Sequence, residues 1–171
     1  NDIAYDGVAN QTVTATTVDD DPQAGFTVTE SSGSTGVSET GSTDTFTVVL
    51  TAEPASNVVI SVVSADTAEA TVSAASLTFT TSNWDSAQTI TVTGVDEDII
   101  DGSQNTTITM AVVDASSDNN FDSLANQTVT AATADDDSAG FTVTESSGST
   151  GVSETGSTDT FTVVLTAEPA S

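Results

Sequence analysis

No lysine, arginine or histidine occurs anywhere in the 171 residues, against 26 aspartates and glutamates, so the formal net charge at pH 7 is −26. Nothing inside the chain neutralises those carboxylates, and their mutual repulsion works against a compact state unless salt or bound cations screen it. Phosphate groups are bound through Lys and Arg, which excludes a nucleic-acid partner and, for the same reason, an anionic membrane surface. Cysteine is absent too, so there is no disulfide framework, and thiols say nothing of the redox compartment. No apolar run approaches the roughly 18–20 residues of a membrane span, which argues against direct membrane insertion.

Catalysis loses most of its tools with the same residues. Only carboxylates, hydroxyls and Tyr5 remain as acid, base or nucleophile. A carboxylate-pair glycosidase is the one sensible enzymatic alternative, but sugar clefts present aromatic platforms and aromatics make up only 5% of this chain. We therefore expect a protein that is not an enzyme.

A hydrophobic content of 36% is enough for a real core. Apolar residues alternate with Thr and Ser at period two: Phe46, Val48 and Leu50; Val58, Ile60 and Val62; Leu77 and Phe79; Ile90 and Val92; Ile108, Met110 and Val112; more weakly Val129 and Ala131. β-Branched and aromatic residues at that period suit a half-buried pleated surface, and no segment sustains a 3.6-residue period. The pattern predicts an all-β fold, an immunoglobulin-like antiparallel β-sandwich of about seven strands.

The chain also repeats itself. Gly25 to Ser56 recurs letter for letter as Gly140 to Ser171, and Asn1 to Asp21 is echoed by Ser117 to Asp137. Residues 1–24 then read as the C-terminal part of one repeat, 25–137 as a complete repeat and 138–171 as the opening of a third. Repeats this long imply an array of whole domains. The chain opens without Met or an apolar leader and starts and stops within a repeat, so we expect an excerpt of a longer protein.

Strand direction sorts the acids. If the Phe46 strand runs up, Glu39 precedes its lower end, the Val58 strand descends to Asp66, and the Ile90 strand descends to Asp96, Glu97, Asp98 and Asp101. The Val129 strand descends to Asp135, Asp136 and Asp137. Strict alternation thus sends nine carboxylates to one end of the domain. Asp is a common turn residue, but turn chemistry alone accounts poorly for a DDD run at the repeat junction in both copies. All-oxygen ligands favour hard cations, and six to eight flexible oxygens favour Ca2+ over Mg2+.

The segments VSETGSTDTFTVVL, SADTAEA, VDEDIIDG and the closing DDD before AGFTVTE resemble the Calx-beta domain of sodium-calcium exchangers and long bacterial surface proteins. The resemblance spans the complete repeat and extends into both partial ones. It implies a seven-stranded sandwich with several calcium ions at one tip, held by Glu39, Asp66, the Asp96 to Asp101 loop and Asp135 to Asp137. Where the family carries a further Glu in that loop, this sequence has Gln104.

Weaker signals remain. Trp84 reads as the cover of a core edge more readily than as a ligand platform. Asn10, Asn105 and Asn126 head N-x-T sequons in a Thr-rich chain. Asp118 and Asp122, with their counterparts Asp2 and Asp6, fall at the opposite tip as candidate secondary ligands from a stacked neighbour. The short DPQAG and DSAG linkers are expected to hinge unless a cation holds them.

The leading expectation is a calcium-stiffened spacer of a giant extracellular or cell-surface protein, of adhesin or filament type, whose partners are neighbouring repeats of the same chain. The alternatives are a self-assembling filament subunit that packs with other copies, and a calcium-dependent glycan-binding module.

Overall fold

The computed structural model describes residues 7–18 and 20–169; Asp2, Tyr5 and Asp6 lie outside these residues. Between positions 26 and 134 nine strand segments form two facing sheets. They are β1 (Phe26–Glu30), β2 (Thr35–Ser38), β3 (Thr43–Leu50), β4 (Val58–Ser64), β5 (Ala70–Val72), β6 (Ser76–Phe79), β7 (Gln88–Gly94), β8 (Gln104–Val112) and β9 (Gln127–Ala134). One sheet has the order β1-β3-β7-β5 and the other β2-β9-β8-β4-β6.

The nine segments amount to seven strands, because two of them change sheets part-way. β1 pairs with β3, and after a turn at Gly33, whose φ is +80°, the chain re-enters as β2 beside β9 in the opposite sheet. Likewise β5 pairs with β7 and β6 with β4. The β2–β9 pair is parallel and the other ladders of the sandwich are antiparallel, so the expected up-and-down alternation of the long strands holds.

Period-two alternation carries the core. In β3 the side chains of Phe46, Val48 and Leu50 are buried while Thr45, Thr47 and Val49 are only partly covered, and β4, β7 and β8 follow the same rule. Phe46, Phe79, Phe121, Ile60, Ile90, Ile108 and Met110 fill the space between the sheets. Truncating a residue such as Phe46 to Ala would cost about 3–5 kcal/mol.

Beyond the sandwich, β10 (Phe141–Glu145) and β11 (Phe161–Leu165) form a two-stranded hairpin. Its register, Phe141 opposite Leu165 through Glu145 opposite Phe161, reproduces that of β1 and β3. Phe141 is 65% exposed and Phe161 59%, although their counterparts Phe26 and Phe46 are buried. The segment after β11 reaches the β7–β8 loop, where Ile99 and Glu168 form an isolated parallel bridge. Among the described residues no helix is long and apolar enough to cross a membrane.

Candidate metal centre

Four connections meet at one end of the sandwich: β2–β3, β4–β5, β7–β8 and the exit from β9. Sequence dictates their closeness at Gly94, the last residue of β7. A Cβ there would lie 2.1 Å from the Ser38 carbonyl oxygen, so only glycine lets the end of β2 cross this close. Gly94 N–H donates to the Ser42 carbonyl at 3.1 Å, which closes the crossing.

That crossing delivers Glu39. Its backbone N–H donates to the Ala134 carbonyl at 3.1 Å, immediately before the DDD run. Its side chain is fully buried at 0% exposure. Oε2 accepts a long hydrogen bond, 3.4 Å, from the N–H of Asp136. Oε1 is buried and has no hydrogen-bond partner.

Asp135 ties the other loops to this point. One of its carboxylate oxygens accepts from Gly102 N–H in the β7–β8 loop at 2.8 Å, and the other accepts from Asp137 N–H at 2.8 Å. Two trios result, each with ligand oxygens within 4.8 Å of one another: Glu39, Asp135 and Asp137, and Glu39, Glu97 and Asp101. Glu39 belongs to both.

The remaining expected residues stand around these trios. Asp66, Asp96, Asp98 and Asp136 are exposed, and the charges of Asp66, Asp96, Asp98 and Asp136 bear on Glu97 or Asp137. Asp66 also caps its own turn, accepting from Ala68 N–H at 2.9 Å.

One residue of the group escaped the sequence reading: Glu69, half-buried just before β5. Its carbonyl accepts from Val95 N–H at 3.0 Å and from the Thr133 hydroxyl at 3.3 Å, which lodges it between the ends of β7 and β9. Its Oε2 is buried and unpartnered. The available signal was its place in SADTAEA, three residues after Asp66.

Electrostatics at this tip follow from crowding. Burial pushes the Glu39 carboxyl above its ordinary value; the Asp136 N–H opposes that, and the charges of Asp135, Glu97 and Glu69 add to it. Burial likewise raises Glu69, with Glu97, Asp101 and Asp66 adding to the shift. Glu97 and Asp137 are raised by burial first and by neighbouring carboxylates second. Glu97 Oε1 and Asp137 Oδ2 are further buried oxygens without partners. Buried carboxylates of one sign, each with an unused oxygen, suit a hard cation taking several oxygens, and calcium fits this donor set.

At the opposite tip Asp118, expected as a secondary ligand, is held by backbone amides. Asp118 is 6% exposed, and its oxygens accept from Ala55 N–H at 2.6 Å, Ser56 N–H at 3.1 Å and Asn120 N–H at 2.9 Å. Those amides hold its pKa below the ordinary value, the Asn120 N–H most strongly, against the effect of burial. Asp118 thus staples the β3–β4 loop through backbone amides. Asp122 keeps one buried oxygen without a partner. Trp84 packs on the edge of the core, and its carbonyl accepts from Leu50 N–H at 3.2 Å. The sequon residues Asn10, Asn105 and Asn126 are exposed.

No family model matches the chain, and no curated protein matches it. Among solved structures it is similar to the apo form of the Calx CBD1 domain, at 13% identity and a TM-score of 0.42, over 66% of this chain and 98% of that one. It is similar to surface layer protein SbsC, domains 1-6, at 17% identity and a TM-score of 0.41, over 84% of this chain and 22% of that one. A third likeness is to a chaperone-tip adhesin complex of CFA/I fimbriae, at 10% identity and a TM-score of 0.44, over 72% of this chain and 61% of that one.

Proposed function

We propose that the acidic tip binds calcium and that the chain serves as a calcium-stiffened spacer in a tandem array of an extracellular surface protein. The observation that carries this reading is Glu39: a fully buried carboxylate with an unpartnered oxygen, common to two carboxylate trios, in a protein without a single cationic side chain. A buried carboxylate of this kind is costly unless it is paired, hydrogen-bonded, neutralised by a proton or coordinating a metal, and at neutral pH a cation relieves what the single long hydrogen bond does not. Glu39, Asp135 and Asp137 would hold one ion and Glu39, Glu97 and Asp101 a second, with Glu69, Asp66, Asp96, Asp98 and Asp136 within reach as further ligands or as charge. Flexible, loop-borne carboxylate sites of this sort are typical of extracellular calcium modules, where the ion is abundant.

Isothermal titration of calcium into the chelator-treated chain tests the reading. We expect saturable binding of more than one ion, with magnesium a poor substitute; no binding heat at millimolar calcium would sink it.

The alternative is a self-assembling filament subunit, and ordered polymers in electron micrographs would favour it over the spacer.

A further inference from the structure

Two isoleucines, Ile99 and Ile100, sit in the middle of the most acidic loop of the chain, flanked by Asp98 and Asp101. Neither is a cation ligand, and both are partly covered. What Ile99 meets is the loop that follows β11: it bridges to Glu168 in parallel register, and the N–H of Glu168 donates to the carbonyl of Asp98. This is strand-like backbone pairing between the acidic tip of one repeat and the opening of the next.

Thr166–Pro169 repeats Thr51–Pro54 letter for letter, so the same surface exists at the upper end of the complete repeat. There Ala52 and Glu53 border a cleft of about 640 Å³, together with Trp84, Phe121 and the linker residues Pro22 and Ala24. Trp84, Phe121, Pro22, Ala24 and Ala52 form its apolar wall and Asp21, Gln23, Glu53 and Asn120 its polar one, beside the loop that would pair with an incoming strand.

We propose that the TAEP loop of each repeat is the docking surface for the β7–β8 loop of the repeat before it. Backbone pairing at the positions of Ile99 and Glu168 is the latch, and the cleft beside Trp84 receives the isoleucine pair. The proposal rests on the reading of the chain as a head-to-tail array. It adds that backbone pairing and apolar side chains contribute to the contact between repeats, with the carboxylates of Asp98 and Glu168 beside them, so that calcium tightens a contact it does not make by itself.

Because the chain has no cysteine, an engineered pair gives a clean readout. Ile99→Cys with Glu168→Cys should cross-link under mild oxidation at least about ten times faster than Ile99→Cys with Glu53→Cys, whose partners lie at opposite ends of one domain. The rate is measured in chelator and in calcium by the shift in mobility without reductant. Cross-linking faster than the control in both conditions, and fastest in calcium, supports the proposal, and cross-linking no faster than the control in chelator overturns a contact that backbone and apolar side chains help to make. Rates no faster than the control in either condition overturn the docking surface altogether. Calcium titration of the unmodified chain is read separately, so loss of the latch and loss of the calcium site are distinguishable.

Discussion

Glu39 and Asp136, 97 residues apart, meet where the β2 crossing touches the exit from β9, the Asp136 N–H donating to Glu39 Oε2 at 3.4 Å. The bond is long, and Glu39 Oε1 stays unpartnered, so the backbone alone leaves this buried carboxylate incompletely satisfied.

Replacing Glu39 by Gln should therefore act in opposite directions with and without the ion. In chelator, Glu39→Gln removes a buried charge from among carboxylates and should stabilise the fold by about 1–3 kcal/mol. In calcium, the wild-type chain gains about 2.7 kcal/mol when the ion stands at 100 times its Kd, and the variant should lose most of that gain. Thermal melting in the two buffers measures both, and a variant that melts below wild type in chelator would contradict the account.

The pH dependence without calcium follows from the same crowding. Glu39, Glu69, Glu97 and Asp137 have folded pKa values above the ordinary 4.5 and 3.8. The folded state thus holds their protons more tightly, and stability falls as pH rises through the raised values. Asp44 and Asp118 run the other way. Their values are lowered, by the Ser31 hydroxyl bond first for Asp44 and by the Asn120 amide first for Asp118, so their contribution is present above 3.8 and lost as pH falls through the lowered values. In chelator we expect a melting maximum in the acid range, with a decline towards neutrality that calcium abolishes. A melting temperature rising monotonically up to pH 7 in chelator would refute it.

At the far tip, Asp118→Ala leaves the amides of Ala55, Ser56 and Asn120 without their acceptor. We expect a loss of about 2–3 kcal/mol in stability, with calcium affinity unchanged. A drop in affinity without a drop in stability would restore Asp118 as a ligand.

The contrast between the two tips explains what was legible in the sequence. Period-two alternation over β3, β4, β7 and β8 set strand directions, and direction alone sent Glu39, Asp66, Asp96, Glu97, Asp98, Asp101, Asp135, Asp136 and Asp137 to one end. β2 and β5 escaped notice because β2 carries a single large apolar residue, Val37, and β5 spans only three residues, too little to show a period, and Glu69 went with β5. The role of Asp118 was equally hidden: an aspartate that accepts three backbone amides and one that awaits an ion look alike until the loop around them is folded.

Glu69 and the DDD run should separate from acids elsewhere. Changing Asp135, Asp136 and Asp137 together to Asn should abolish tight calcium binding, and Glu69→Gln should weaken it. Neutralising Glu53, Asp85 and Asp114 removes the same charge of three and should change affinity only slightly, through long-range attraction that added salt screens. Equal losses from the two triple variants would mean that calcium responds to a diffuse field instead of a built site.

The junction after the DDD run is shorter than its sequence suggests. The Thr166 hydroxyl donates to the Ser138 carbonyl at 2.8 Å, as the Thr51 hydroxyl does to Gln23 at 3.0 Å in the preceding junction. Each linker is thereby clamped to the repeat that follows it, and little chain is left to bend between Asp137 and Ser138. Thr166→Val keeps the shape and removes the donor, at a cost of about 1 kcal/mol. Small-angle scattering on this chain should show a maximum dimension that broadens in chelator. In the variant it should broaden in calcium as well, since the ion holds the acidic tip but not the released linker. A variant in calcium that scatters like wild type in calcium would show that the ion alone sets the angle and that the threonine clamp contributes nothing to stiffness.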